Sequence, residues 1–96
     1  MAALEFTRRL EPRGPAGALV LTDAEVATLG GGKRAAVQVR VGERQADLRL
    51  AVMGGENLIG MSRAARAELG VEIGQELTVT VALDESRAVR KPRRDG

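Results

Sequence analysis

The clearest pattern in the chain is an alternation of apolar and polar side chains. Residues 35–41 and 44–52 each place Val, Ala or Leu at every second position. This alternation predicts two strands that each bury one face. A turn at residues 42–43 brings the two apolar faces together and pairs Val37 with Leu48. We therefore expect a β-hairpin in this register.

Two more strands follow from the same alternation at the ends of the chain. Leu4, Phe6 and Leu10 share one parity and predict a first strand that ends at residues 12–15, which read Pro-Arg-Gly-Pro. Residues 77–83 repeat the pattern and predict a last strand.

Between the strands lie two short segments with the signals of helix ends. Thr22 and Ser62 are suited to cap the N-termini of helices over residues 23–28 and 63–68, and each segment stops at a Leu-Gly pair. Glu25 follows Thr22 by three residues, which predicts a capping box. We expect two short helices here.

These segments belong to an internal repeat with a constant offset of 40 residues. Leu21-Thr22 corresponds to Met61-Ser62, and Leu29-Gly30 corresponds to Leu69-Gly70. Neither copy can bury its apolar face alone, so the two copies must pack together as a pseudo-twofold pair. The chain is therefore expected to be mainly β, as a small closed barrel of about six strands with two short helices.

Residues 57–81, which read NLIGMSRAARAELGVEIGQELTVTV, resemble the half-barrel segment of AbrB-like transcription regulators. Residues 4–84 resemble more specifically a bacterial family named domain of unknown function 1905, whose members carry two such halves in one chain. The positions that match its pattern are Phe6, Val20-Leu21, Leu29-Gly30, Val37-Gln38-Val39, Gly54-Gly55 and residues 69–74. The resemblance implies a double-split β-barrel and carries no catalytic residue with it.

Charge divides the chain into two parts. Residues 1–86 contain ten Lys and Arg against twelve Asp and Glu, whereas residues 87–96 contain five Lys and Arg against one Asp. We expect residues 1–86 to form a single β-barrel domain and residues 87–96 to form a basic flexible tail. A solubilising or linker role is expected for the tail in preference to a nucleic-acid arm.

Composition also predicts a location. The chain has no Cys, no apolar run long enough to span a membrane and no signal peptide, so we expect a cytoplasmic protein with no membrane partner. Arg outnumbers Lys thirteen to two, which is typical of a bacterial genome rich in G and C.

Missing residue types narrow the chemistry. Without His, Cys or Tyr, the chain cannot assemble a Ser-His-Asp or Cys-His nucleophile or a zinc site of the usual ligands. The carboxylates fall at turns, on helix surfaces or at outward strand positions, where a solvated role is expected. We accordingly assign no catalytic residue, no metal ligand and no cofactor.

One loop and one misplaced arginine indicate where a ligand would bind. A Gly-rich segment at residues 54–57 is expected at the barrel rim, where small barrels hold ligands, and Met53 and Met61 flank the loop over residues 54–60. Arg8 has the parity of the buried face, so either its strand frays or bulges, or Arg8 meets a carboxylate or an anionic ligand. The candidate ligand-binding residues are Arg8, Arg49, Met53, Asn57, Met61 and Arg63.

Three functions remain open. The first is a binding module for a small molecule or peptide. The second is an AbrB-like nucleic-acid-binding or regulatory protein, based on the resemblance, on Arg63 and Arg66 and on the basic tail; the net negative charge of residues 1–86 counts against it. The third is a small cyclase or isomerase that uses carboxylate or Arg residues. Since one chain supplies both halves of the barrel, we expect a monomer or a weak homodimer.

Overall fold

The protein is described by a computed structural model that covers residues 3–84, so the predicted tail, residues 87–96, lies outside the described residues. The described chain is mainly β, with seven antiparallel strands in one curled sheet and two short helices. The elements are β1 (Ala3–Arg9), β2 (Glu11–Arg13), β3 (Ala16–Leu21), α1 (Asp23–Leu29), β4 (Ala36–Val41), β5 (Arg44–Met53), β6 (Glu56–Met61), α2 (Arg63–Leu69) and β7 (Glu76–Leu83). The strand order in the sheet is β1-β7-β4-β5-β6-β3-β2.

The described sheet has seven strands where about six were predicted, because the first strand is interrupted at Leu10. The Leu10 N–H donates to the Gln75 carbonyl at 2.9 Å, and the Leu10 carbonyl accepts from the Gly74 N–H at 2.7 Å. On either side of Leu10 the chain changes its neighbour, since β1 pairs with β7 and β2 pairs with β3. Two strands that are adjacent in the chain thus lie at opposite ends of the strand order.

The central hairpin forms in the predicted register. Val41 pairs with Arg44 and Val37 pairs with Leu48, with Gly42 at a positive φ of 61° in the turn. This φ is one that glycine adopts without steric cost. The prediction of this hairpin from the apolar alternation is therefore confirmed.

Both predicted helices are present, and each extends one residue further than expected. The side chain of Thr22 accepts from the Glu25 N–H and that of Ser62 accepts from the N–H three residues on, while Glu25 completes the capping box. At the other ends Gly30 and Gly70 are left-handed, with φ of 82° and 73°. Helix starts and stops thus follow the sequence signals closely.

The offset of 40 residues also governs strand pairing. Leu19 pairs with Ile59 and Arg40 pairs with Thr80, and in each pair the two residues are each other's counterparts in the repeat. The β1–β7 ladder maps by the same offset onto the β5–β4 ladder, and the β2–β3 ladder maps onto the β5–β6 ladder. A pseudo-twofold axis therefore passes between β3 and β6, and β1 with β2 corresponds to the single strand β5.

The core lies between the curled sheet and the two helices. The sheet contributes fully buried aliphatic side chains at alternate positions, and each helix adds buried residues from one face, Val26 and Leu29 in α1 and Ala65 and Leu69 in α2. Burying each Leu or Ile stabilises the fold by roughly 1.5–3 kcal/mol relative to exposure. Across residues 3–84, no helix has the length and apolar character needed to cross a membrane.

Candidate functional site

The outer face of the sheet carries small and apolar side chains around the pseudo-twofold axis. Ala18 and Leu58 have the parity opposite to the core residues Leu19 and Ile59, so they point away from the core. Outward residues are normally exposed, yet Ala18 and Leu58 are only 1% and 4% exposed. The outer face is therefore concave at this point.

The concavity is a groove of about 510 Å³ between two hairpins. We call it the hairpin groove. Its lining comes from residues 13–18 of the β2–β3 hairpin and from Ala51, Met53, Gly54, Glu56, Leu58 and Gly60 of the β5–β6 hairpin. Both hairpins are counterparts in the repeat, so the groove lies on the pseudo-twofold axis.

Glycine and alanine create the space in the hairpin groove. A Cβ atom built on Gly60 would meet no other atom within 4 Å, and Gly60 does not have a positive φ. A side chain at this position would therefore project into open space without backbone strain. The counterpart of Gly60 in the first copy is Val20. The second copy thus lacks a branched side chain that the first copy carries.

A charged cluster joins the two hairpins at the groove. The Arg13 guanidinium donates from Nε and Nη2 to the Glu56 carboxylate at 3.1–3.3 Å, and from Nη1 to Glu11 at 3.4 Å and to the Pro12 carbonyl at 2.8 Å. The hydrogen bond to Glu56 is the main reason why the pKa of Arg13 is raised above its ordinary value. Arg13 thus stays charged and links β2 to β6.

The amino-acid sequence matches the model of a protein family over residues 6–81, which is most of the length of the chain. The model is described as a domain of unknown function (DUF1905). The chain belongs to the DUF1905 family. No curated protein and no solved structure matches it. The match covers the entire hairpin groove, so the groove is part of the DUF1905 domain itself.

Of the six candidate residues, Met53 is the one that lines the hairpin groove of this DUF1905 domain. Met53 is 64% exposed, which is more than the other exposed large apolar residues of the described chain, Val52 and Ile73. Met53 ends β5 and pairs with Glu56 across a two-residue turn in which Gly54 and Gly55 both have positive φ. The Gly-rich segment expected to be a rim loop is thus a tight hairpin turn followed at once by β6.

Asn57 and Met61 lie on the opposite side of β6 from the groove. Met61 is fully buried in the core. Asn57 is 5% exposed, and its amide Nδ2 donates to the Leu21 carbonyl at 3.2 Å and to Asp23 Oδ1 at 2.8 Å. This amide satisfies polar groups where β3 enters α1. In this structure both residues support the elements beneath the groove.

Arg49 and Arg63 lie on the exposed surface outside the groove lining. Arg49 donates from Nη1 to the Arg34 carbonyl at 3.0 Å, and Arg63 is the first residue of α2. The structure therefore does not bring the six candidate residues together in one site.

Arg8 meets a carboxylate, which is one of the two alternatives that its parity left open. Its guanidinium donates to both oxygens of Glu25 at 2.7 and 2.9 Å and to the Val20 carbonyl at 2.9 Å, and it lies 4.3 Å from the centre of the Phe6 ring. The pairing of β1 with β7 continues without a break through Arg8. Arg8 therefore fastens α1 to β1.

Glu25, the acidic member of this ion pair, is not suited to act as a general acid. The hydrogen bond from Arg8 is the main cause that lowers the pKa of Glu25, and the backbone N–H of Thr22 lowers it further. A general acid at neutral pH needs a raised pKa.

Within residues 3–84, Asp and Glu side chains form no group of three or more that could hold a metal ion.

Sequence reasoning missed the residues that form most of the groove, above all Arg13 and Gly60. A signal for them was present in the repeat. At an offset of 40, Arg13-Gly14 corresponds to Met53-Gly54, so two turns bound the same pseudo-twofold axis. Only the observed pairing of Leu19 with Ile59 shows that the axis passes between them.

Proposed function

We propose that this DUF1905 domain binds a small, mainly apolar molecule in the hairpin groove. The observation that supports the proposal is a half-open groove of about 510 Å³ on the outer face of a sheet whose core is packed separately. Ligand pockets typically occupy roughly 300–1,000 Å³ and combine an apolar lining with a few polar groups. The groove has this composition, with Arg13 and Glu56 as its charged lining residues.

The floor of the groove is preorganised by the sheet. Ala18, Ala51 and Leu58 belong to three neighbouring paired strands, β3, β5 and β6. Their backbone positions are fixed by the ladders, so a ligand would not have to order a loop in order to bind. Met53 supplies the adaptable part of the wall, because its unbranched side chain can adjust to ligands of different shape.

The expected affinity for a fragment follows from its size. A seven-atom molecule such as 1-hexanol that gains about 0.5 kcal/mol per non-hydrogen atom would have a dissociation constant on the order of a few millimolar. The natural ligand, being larger, would bind more tightly. Binding of fragments is therefore best followed by a method that detects weak complexes.

The methionines provide such a method. The chain has three Met residues, of which Met53 lines the groove and Met61 is fully buried in the core. With ¹³C-labelled Met methyl groups, titration with 1-hexanol, cyclohexanol and benzyl alcohol should shift the Met53 signal in a saturable manner. Met61 serves as the internal control for general perturbation of the core.

Each outcome of this titration is decisive. A saturable shift of Met53 with little change at Met61 would support binding in the groove. No saturable Met53 shift with any of the three alcohols, or equal shifts at Met53 and Met61, would contradict the proposal.

We also propose that the sheet forms a closed barrel of the double-split type, in which β1 and β2 act as one strand. Two hydrogen bonds at Leu10 and the correspondence of β1 and β2 with β5 support this arrangement. A closed barrel has no free sheet edge to recruit a second copy, so the chain would bind its ligand as a monomer. Light scattering that gave a dimer at micromolar concentration would contradict this.

A further inference from the structure

The ion pair between Arg13 and Glu56 crosses the outer face of the sheet at the hairpin groove. Arg13 belongs to β2 and Glu56 belongs to β6, and β3 lies between these two strands in the sheet. The ion pair therefore passes over β3, whose residues Ala16 and Ala18 form part of the groove lining. A contact between strands that are not neighbours ties the two hairpins together independently of the strand ladders.

Arg13 is held in this position by all of its guanidinium nitrogens. Nε and Nη2 donate to Glu56 at 3.1–3.3 Å, while Nη1 donates to the Pro12 carbonyl at 2.8 Å and to Glu11 at 3.4 Å. Because a guanidinium is planar, several hydrogen bonds to one carboxylate fix its orientation as well as its position. The Arg13 side chain is thus a fixed wall of the groove rather than a donor that is available to a ligand.

The repeat shows how the opposite side of the groove differs. At an offset of 40, Arg13 corresponds to Met53 and Glu56 corresponds to Ala16. Met53 and Ala16 both line the groove, but neither carries a charge, so these two residues cannot form an equivalent ion pair. Met53 is unbranched and largely exposed, so it can adjust to a bound molecule. The hairpin groove therefore has one fixed side and one adaptable side.

We infer that Arg13 determines the shape of ligand that the hairpin groove accepts, because its link to Glu56 limits the width of the groove and favours slender, unbranched apolar molecules. This inference rests on the proposed function and specifies the ligand class of the same groove. A branched molecule would have to displace the Arg13 side chain or separate the two hairpins, and forcing extra bulk into a fixed site is unfavourable. The ion pair is partly exposed, at 34% and 43%, so it yields at a small cost and contributes about threefold to the preference.

Two isomeric alcohols test this inference. 1-Hexanol and 3,3-dimethyl-1-butanol contain the same atoms and one hydroxyl group, but the second ends in a bulky tert-butyl group. Each is titrated into the full chain, and binding is followed at the ¹³C-labelled methyl group of Met53. We expect the wild type to bind 1-hexanol at least about threefold more tightly. Since the two isomers also differ in hydration, the decisive quantity is the change in this affinity ratio between proteins.

Three variants assign the preference to the link across the groove. Arg13→Ala removes both the link and its bulk and should lower the affinity ratio by about threefold. Glu56→Gln keeps the shape of the side chain but removes its charge, so it should lower the ratio by a smaller amount. Arg40→Ala is the control, since it removes an exposed arginine of β4 that donates to Gln45 and lies outside the groove lining. It should leave the ratio unchanged, and the signal of the buried Met61 shows that each variant is folded.

The possible outcomes separate this inference from the proposed function. Equal affinity of the wild type for the two isomers, or the same ratio in Arg13→Ala as in the wild type, would overturn the inference and leave the groove as a binding site. An equal fall of the ratio in Arg13→Ala and Arg40→Ala would also overturn it, because the loss of any arginine would then have the same effect. Absence of binding by both isomers to the wild type would contradict the proposed function itself.

Discussion

At the scale of single residues, the ion pair between Arg8 and Glu25 shows how the two copies of the repeat differ. The counterparts of Arg8 and Glu25 in the second copy are Leu48 and Ala65. A charged contact thus attaches α1 to its strand, whereas apolar residues occupy the equivalent positions beside α2. The ion pair is partly exposed, at 30% for Arg8 and 21% for Glu25, so its net contribution to stability is small.

This ion pair makes stability depend on pH. Because the pKa of Glu25 is lowered in the folded state, its contribution is fully present above the ordinary value of 4.5 and is lost as the pH falls through the lowered folded value. Glu25→Gln keeps a side chain that can complete the capping box but removes the charge. We expect the variant to lose about 1 kcal/mol of unfolding free energy at pH 7 and to converge with the wild type in acid.

Urea denaturation at a series of pH values measures this effect, with Glu68→Gln as the control. Glu68 is an exposed residue of α2. A Glu25→Gln variant whose deficit stayed constant from pH 7 down to pH 3 would show that the ion pair is not the source of the loss.

Sequence alone could detect the anomaly at Arg8 but could not resolve it. The parity of the strand marked Arg8 as a residue that needed a partner, and the capping box already placed Glu25 at the start of α1. Their contact depends on how α1 packs against β1, which no local pattern specifies. The sequence also did not predict the structural roles of Asn57 and Met61. Both lie in β6, which is buried almost throughout, so the sequence pattern does not show which residues face the core.

At the scale of secondary-structure elements, each helix ends at a glycine in the left-handed region. Gly30 has φ of 82° and no atom within 4 Å of a Cβ built on it, so Gly30→Ala would introduce backbone strain without a steric clash. We expect a loss of about 1 kcal/mol in unfolding free energy, measured by chemical denaturation.

Gly60→Ala is the matched control for this prediction. Gly60 also has open space around its Cβ position, but it lies in β6 and does not have a positive φ. The variant should be neutral or slightly stabilising, because alanine reduces the freedom of the unfolded chain. Equal destabilisation by both substitutions would mean that the left-handed conformation is not the cause.

The alternation of apolar and polar residues predicted the positions of β1, β4, β5 and β7 well. It did not locate β2, β3 or β6. In β3 the residues Gly17, Ala18, Leu19 and Leu21 are all buried, and in β6 three consecutive residues are buried. These strands cover the core on one side and line the concave groove on the other, so both faces are apolar. Strands of this kind lose the two-residue period on which the prediction depends.

At the scale of the whole molecule, the repeat gives two equivalent sites in the core. Leu10 and Leu50 are counterparts, are 0% and 1% exposed, and each donates its N–H to a carbonyl at 2.9 Å. Leu10→Ala and Leu50→Ala should each cost about 2–5 kcal/mol of unfolding free energy, with similar values because both side chains are fully buried and both N–H groups make equivalent hydrogen bonds. The free energies follow from urea unfolding curves.

A large difference between the two variants would contradict the equivalence. In particular, if Leu10→Ala cost much less than Leu50→Ala, the interruption between β1 and β2 would be a loosely packed junction instead of a counterpart of β5. The constant offset of 40 predicted the repeat from sequence. The interruption itself was not predictable from this position, because Leu10 and Leu50 are the same residue type.

The central claim is that the space left by Gly60 binds a ligand, and its most direct test is to fill that space. Gly60→Val introduces the residue found at the counterpart position Val20, which suits a strand and meets no atom within 4 Å of its Cβ. The measurement is the dissociation constant of 1-hexanol for this variant and for Thr80→Val, a control of similar character in β7 outside the groove lining. We predict binding about tenfold weaker in Gly60→Val, equivalent to about 1.4 kcal/mol, and unchanged in Thr80→Val. Equal affinity of wild type and Gly60→Val, with both proteins folded, would contradict the assignment of the hairpin groove as the binding site.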